Sequence, residues 1–60
     1  MDKQKLLFTT GEASARLGIK ESRLRQAVFR REISYVKLGA LVRFREEDIQ
    51  YFIEKNIKTF

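Results

Sequence analysis

Hydrophobic side chains recur at helical spacing in the first third of the chain. Ala13 and Leu17 share one face of a predicted helix. Thr10 stands where an N-cap residue belongs, and Gly18 follows as a glycine that can take the positive φ at which helices end. Residues 1–8 precede this helix as a polar lead-in that ends in apolar side chains, and we expect a brief strand or a docking segment there.

A second helix is predicted after a very short connection, from Glu21 to about Arg30. Its apolar stripe consists of Leu24, Ala27 and Val28. The opposite face is polar and rich in arginine, with Ser22, Gln26, Phe29 and Arg30 at its centre and Arg23 and Arg25 at its flanks. Two helices joined by a tight glycine turn, the second with a basic outer face, form the arrangement of a helix-turn-helix.

The hydrophobic period then changes from helical to alternating. Residues 35–38 and 41–45 are rich in β-branched and aromatic side chains, and Gly39-Ala40 between them predicts a tight hairpin turn. Lys37 and Arg43 are expected near the tip of this hairpin, in the position of a wing. A two-stranded ribbon is not stable alone, so the hairpin must pack on the helices.

A third helix is predicted to open with three acidic residues in its first turn, where their charge suits the helix dipole, and to run to about Asn56. Together the elements predict a small α+β winged helix-turn-helix in the order α-α-β-β-α. Residues 1–60 are expected to form one domain, with 1–6 and 57–60 loosely ordered. The predicted core comprises Leu7, Ala13, Leu17, Ile19, Leu24, Val28, Val36, Val42, Phe44, Ile49, Phe52 and Ile53.

The composition excludes several classes of function. The 60 residues include no cysteine and no histidine, which excludes disulfides, Cys/His metal sites and Cys or His catalysis. Glu46, Glu47 and Asp48 are consecutive on a helix and do not face one another, so dipole capping is expected to account for them. We expect no enzymatic activity, no metal, no cofactor and, without an apolar run of roughly 18 residues, no membrane span.

Positive charge is concentrated in one block of the sequence. Residues 20–45 hold eight basic and two acidic side chains, a net charge of +6, whereas the chain as a whole carries +5. Six of the eight cations are arginine, the side chain best suited to phosphates and base edges. The block favours binding to a polyanion, although a charged surface that keeps a small protein soluble is the alternative.

Each candidate residue has a functional and a structural interpretation. Gln26 is suited to adenine and Arg23 or Arg30 to guanine in the major groove, while Lys37 and Arg43 would contact phosphates or the minor groove. Alternatively, these are ordinary exposed positions, and the hairpin cations protect a sheet edge. Phe29 lies on the polar face and would pack under the hairpin, contact a thymine methyl or meet a protein. Tyr51 points outward on the third helix.

Several short motifs occur in a fixed order along the chain. They are Phe8-Thr9-Thr10-Gly11-Glu12-Ala13, Leu17-Gly18-Ile19, Leu24-Arg25, Val36-Lys37-Leu38-Gly39, Val42-Arg43-Phe44 and Glu47-Asp48-Ile49. In this order, from Leu7 to Ile53, the chain resembles the excisionase-type winged helix-turn-helix domains, relatives of the DNA-binding half of MerR-type regulators. It departs from their pattern at the N-cap of the second helix (Lys20), at a common tryptophan (Ala27), and at the glycine and proline after that helix (Arg31 and Ser34).

The resemblance implies a DNA-binding protein of a bacterial mobile element or phage, cytoplasmic and associated with the nucleoid. Some members of the family direct a recombinase towards excision in DNA recombination, and others regulate transcription. The DNA contacts that it implies are Ser22, Arg23, Gln26, Arg30, Lys37 and Arg43. We expect the flanking Arg25 to contact DNA as well. One such module covers little DNA, so we expect self-association on duplex DNA or a recombinase partner.

The alternative function is that of a small accessory subunit. The domain would dock on a larger replication or recombination enzyme, such as a polymerase, primase or recombinase, and help it to engage nucleic acid. The outward aromatic side chains Phe29, Tyr51 and Phe60 are the candidate protein interface for this function.

Overall fold

The computed structural model describes residues 6–58 and has the predicted order of elements. Its elements are α1 (Thr10–Leu17), α2 (Glu21–Phe29), β1 (Val36–Leu38), β2 (Leu41–Arg43) and α3 (Glu46–Lys55). The α+β class is confirmed, with one two-stranded antiparallel sheet among three helices in the described residues. None of these helices is long and apolar enough to cross a membrane.

A capping box starts α1 one residue earlier than predicted. Thr9, in extended conformation, is the N-cap: its Oγ1 accepts a hydrogen bond from the Glu12 amide at 3.1 Å. The Glu12 carboxylate accepts in return from the Thr9 amide at 2.9 Å. The prediction of Thr10 as N-cap was wrong because the reciprocal pair requires a glutamate three residues after the cap, and only Thr9 has one.

The first two helices end in the same backbone motif but with different residues. After α1, Gly18 has a φ of 70°, and the Ile19 amide donates to the Ser14 carbonyl at 3.0 Å. The glycine stop is therefore confirmed, as a Schellman motif. After α2, Arg31 has a φ of 60°, and the Glu32 amide donates to the Ala27 carbonyl at 2.8 Å. The second motif thus places a Cβ in the left-handed region, which is unfavourable for residues other than glycine.

Replacing Arg31 by glycine is expected to stabilise the fold. Removing the Cβ relieves the left-handed backbone, which should raise the free energy of unfolding by about 1 kcal/mol. Chemical denaturation followed by circular dichroism measures the change. Arg31→Ala is the matched control because it removes the same charge and keeps the Cβ. Equal stability of the two variants would show that the backbone at this position carries no strain.

The hairpin is joined to the start of the chain. Strand β1 pairs with β2 in the register Val36↔Arg43, Lys37↔Val42 and Leu38↔Leu41, around Gly39 at a φ of 63°. The lead-in makes the brief strand-like contact that was expected, because Phe8 and Phe44 exchange two backbone hydrogen bonds of 2.8 and 2.9 Å. The second strand ends earlier than predicted because Arg45 already serves as the N-cap of α3.

Most of the predicted core is confirmed. The buried apolar residues are Ala13, Leu24, Ala27, Ile33, Phe44 and Ile49, and Phe8, Leu17, Ile19, Val28, Val42 and Phe52 pack against them. Leu7 and Val36 are half-buried. The prediction of Ile53 as a core residue was wrong. It lies one turn beyond Ile49, where α3 passes the edge of the core, and is 40% exposed.

Candidate nucleic-acid interface

The outer face of α2 is exposed as the helical pattern predicted. Leu24 and Ala27 are buried on the inner side. The predicted DNA contacts of this helix are all exposed: Ser22, Arg23, Arg25, Gln26 and Arg30. The structure therefore brings all the α2 candidates to the solvent side of one helix.

Two side chains on this face contact each other directly. The Arg23 Nη1 donates a long hydrogen bond of 3.4 Å to the Gln26 Oε1. Arg25 lies 3.7 Å from a Glu21 carboxylate oxygen one turn before it. Both contacts join exposed groups, where such interactions are weak, so the arginines can exchange them for other partners at little cost.

The cations of the block differ in whether they have a carboxylate partner. Arg25 and Arg45 form ion pairs, whereas the other cations from Lys20 to Arg43 have none within residues 6–58. Arg31 belongs to this second set, is exposed, and directly follows Arg30. Arg31 was not among the predicted contacts; the charge count included it, but only the turn geometry places it beside the α2 face.

The two wing cations lie on opposite faces of the hairpin. Cross-strand partners share a face, so Lys37 lies with Val42 and Arg43 lies with Val36. Lys37 is exposed, whereas Arg43 is half-buried and its Nη1 donates to the Val42 carbonyl at 2.9 Å. Of the two, Lys37 is the more accessible to a nucleic acid.

A groove of about 510 Å³ separates α2 from the hairpin. It is lined by Thr10, Arg25, Val28, Phe29, Arg31, Tyr35 and Val42. Phe29 lies at the rim of this groove and is 87% exposed. The interpretation that it packs under the hairpin was therefore wrong. Contact with a thymine methyl and contact with a protein stay predictions for this residue.

The other two candidates for a protein interface have different outcomes. Tyr51 is 58% exposed, as predicted, and its ring centroid lies 5.4 Å from the Lys55 Nζ. The same Nζ donates to the Glu32 carbonyl at 3.1 Å, so Tyr51 lies beside the segment that follows α2. Phe60 lies outside the described residues. The role of both as an interface stays a prediction.

The acids that open α3 bind two arginines, Arg16 and Arg45, in ion pairs. The Asp48 carboxylate, 3% exposed, accepts from the Arg45 amide and Nε, each at 3.0 Å, and from its Nη2 at 2.6 Å. Arg16 donates two hydrogen bonds to the Glu46 carboxylate, which joins the end of α1 to the start of α3. Dipole capping alone was therefore an incomplete explanation of these acids. No cluster of acidic side chains in residues 6–58 could hold a metal ion.

These ion pairs lower the pKa values of two carboxyl groups. Burial would raise the pKa of Asp48, but the hydrogen bonds and charge of Arg45 outweigh it, and the net pKa lies below its ordinary value. Hydrogen bonds from Arg16 and then Gln50 lower the pKa of Glu46. In both groups the folded state favours the ionised form more than the unfolded state does.

Acid is expected to destabilise the protein through these two groups. A carboxyl group whose pKa is lower in the folded state stabilises the fold fully above its ordinary pKa, which is 4.5 for Glu46 and 3.8 for Asp48. This stabilisation is lost as the pH falls through the pKa of the folded state. The melting temperature should fall on acidification from about pH 5, and the fall should be shallower in Asp48→Asn. Glu54→Gln, an exposed carboxylate of α3, is the control and should keep the wild-type profile. A fall in Asp48→Asn that is as steep as in the wild type would contradict the assignment of this stability to the Asp48 carboxylate.

One comparison with known proteins gives a match. A family model described as a helix-turn-helix domain matches residues 7–57, which include all three helices and the hairpin. No curated protein and no solved structure gives a significant match to the chain.

Proposed function

Since the chain belongs to the helix-turn-helix domain family, we propose that it binds duplex DNA as an excisionase-like protein or a transcriptional regulator of a bacterial mobile element or phage. The observation that carries this proposal is the set of cations without carboxylate partners on and beside α2. Arg16 and Arg45 are held in ion pairs elsewhere, while Arg23, Arg30 and Arg31 are exposed without one within the described residues. Such arginines are available to phosphates and bases.

The proposed contacts follow from the position of each residue along α2. A recognition helix contacts base edges mainly through its N-terminal residues, which here are Ser22 and Arg23, and Gln26 lies one turn after Arg23 and bonds to it. Arginine bonds guanine and glutamine bonds adenine through paired donors and acceptors. Arg30 and Arg31, at the other end of the helix, contact phosphates.

The hairpin and a further protein complete the proposed complex. Lys37 contacts the DNA backbone, and Arg43 does so after exchanging its bond to the Val42 carbonyl for a phosphate. A single module of this size covers a short site, so binding requires several copies side by side or a recombinase bound next to it.

A salt series on duplex and single-stranded DNA tests the proposal. Four phosphate contacts, by Arg30, Arg31, Lys37 and Arg43, should give a slope of log K against log salt on the order of −3 to −4 on duplex. Fluorescence anisotropy with labelled oligonucleotides measures it. Equal affinity for single strands, or a slope near zero, would overturn duplex binding as the function.

The two roles within this proposal differ in an assay with a recombinase. An excisionase-like role predicts that the chain raises the yield of excision over integration when a site-specific recombinase and its attachment sites are supplied. A regulator changes transcription from a promoter that carries its site and leaves the recombination yield unchanged.

The exposure of Phe29 favours a second candidate function, the accessory subunit. A phenyl ring that is 87% exposed at the rim of a partly apolar groove is suited to a protein surface. This function predicts that the chain alone does not bind duplex DNA. It also predicts that Phe29→Ala abolishes binding to a purified polymerase, primase or recombinase that the wild-type chain binds.

A further inference from the structure

The tip of the hairpin carries an apolar pair that the fold leaves uncovered. Leu38 and Leu41 are direct cross-strand partners on either side of the Gly39-Ala40 turn. Their side chains are 49% and 52% exposed. Because cross-strand partners project from the same face, the two leucines form one apolar surface, and only two small residues lie beyond it.

The core holds the base of the hairpin across the groove from α2. Val42 packs against the buried core and lines the same groove as Val28 of α2. Phe44, two residues further, is fully buried and bonded to Phe8. The base of the hairpin is therefore held beside α2, and the leucine pair projects from it on the face opposite Val42.

The charges around the pair favour a polyanion as its partner. Arg43 is on the same face, two residues from Leu41, and Lys37 is on the other face. A second copy docked symmetrically through this tip would bring like charges together, which is unfavourable. A nucleic acid would cover the leucines and neutralise both cations.

We propose that Leu38 and Leu41 form a wedge that enters the minor groove next to the major-groove site of α2 and partly unstacks one base step. This inference rests on the proposed duplex binding. Minor-groove proteins insert leucine and similar side chains between base steps and bend the duplex by tens of degrees. The wedge would favour flexible pyrimidine–purine steps at its point of entry, which adds specificity without hydrogen bonds to bases.

The test uses a duplex of about 30 base pairs selected by the wild-type chain from a random pool. Energy transfer between dyes at its ends measures bending, and 2-aminopurine placed at successive steps reports unstacking. Wild type should bend this duplex by roughly 20–90° and raise the fluorescence at one step. The double variant Leu38→Ala, Leu41→Ala should bind with a several-fold loss of affinity and lose both signals.

Two further variants separate a wedge from a structural role. Leu38→Met with Leu41→Met keeps the apolar volume and should keep the bend. Ile57→Ala removes an apolar side chain that is also exposed but belongs to the segment after α3, and it should behave as wild type. Circular dichroism checks that each variant is folded.

The outcomes distinguish failure of the wedge from failure of the proposed duplex binding. Duplex binding without a bend, or an unchanged bend in the alanine double variant, overturns the wedge and leaves DNA binding intact. If that variant loses self-association and keeps the bend, the tip is a contact between copies of the chain, and the wedge is likewise overturned. Failure of the wild type to bind duplex overturns both proposals.

Discussion

Phe44→Ala is expected to leave the protein largely unfolded near room temperature. The side chain is fully buried, and truncating a buried phenylalanine typically costs about 3–5 kcal/mol of unfolding free energy. A domain of this size has roughly 3–9 kcal/mol in total. The loss is therefore comparable to the whole stability of the fold, because this ring lies where the hairpin meets the helices.

Urea denaturation followed by circular dichroism measures this loss. Phe29→Ala is the matched control, since it removes the same ring from a position that is 87% exposed and should change stability by about 0.5 kcal/mol or less. A loss below about 1 kcal/mol for Phe44→Ala would mean that the ring is not part of the core.

The double variant Arg23→Ala, Arg30→Ala is expected to lose most of its affinity for duplex DNA. Each arginine contact with DNA is worth about 1–3 kcal/mol, so the pair should weaken binding by roughly 30-fold to 10⁴-fold. Both residues are exposed and have no carboxylate partner among residues 6–58, so their removal should leave the fold unchanged. The slope of the salt dependence should also become shallower by about 1, because Arg30 is the member of the pair that contacts a phosphate.

Anisotropy titrations at a fixed, moderate salt concentration measure the loss. Lys58→Ala is the control for net charge, because it removes an exposed cation outside the block of residues 20–45. Affinity of the double variant within twofold of wild type would contradict a role for α2 in binding, even if the chain binds DNA by another surface.

The parts of the fold that follow from local periodicity were predictable. The stripe that buries Leu24 and the glycine stop at Gly18 each depend on a few neighbouring residues, and both are confirmed. Ile33 escaped prediction because it is buried in the connection after α2, where no repeating pattern marks it. Thr9 was missed because two adjacent threonines compete for the cap, and the choice depends on the partner at Glu12.

The candidate site was predictable as a face but not as a set of partners. Sequence alone assigns the same charge to Arg23 and Arg45. The local structure separates them, because Arg45 is the N-cap of α3 and binds the Asp48 carboxylate of its first turn. Lys37 and Arg43 lie on opposite faces of the hairpin because of the register in which its two strands pair. Which bases the α2 side chains contact remains a prediction, because that depends on the DNA as well as on the protein.

Under the proposed function, the left-handed backbone at Arg31 makes the stability of the domain and its affinity for DNA favour different residues at this position. Glycine would suit the φ of 60° better, but it would remove a cation from the end of α2. Laboratory evolution for heat resistance alone would therefore favour glycine at this position. Evolution for DNA binding at physiological salt would retain arginine, so an engineered, more robust version should recover the lost charge at a neighbouring position with ordinary helical geometry.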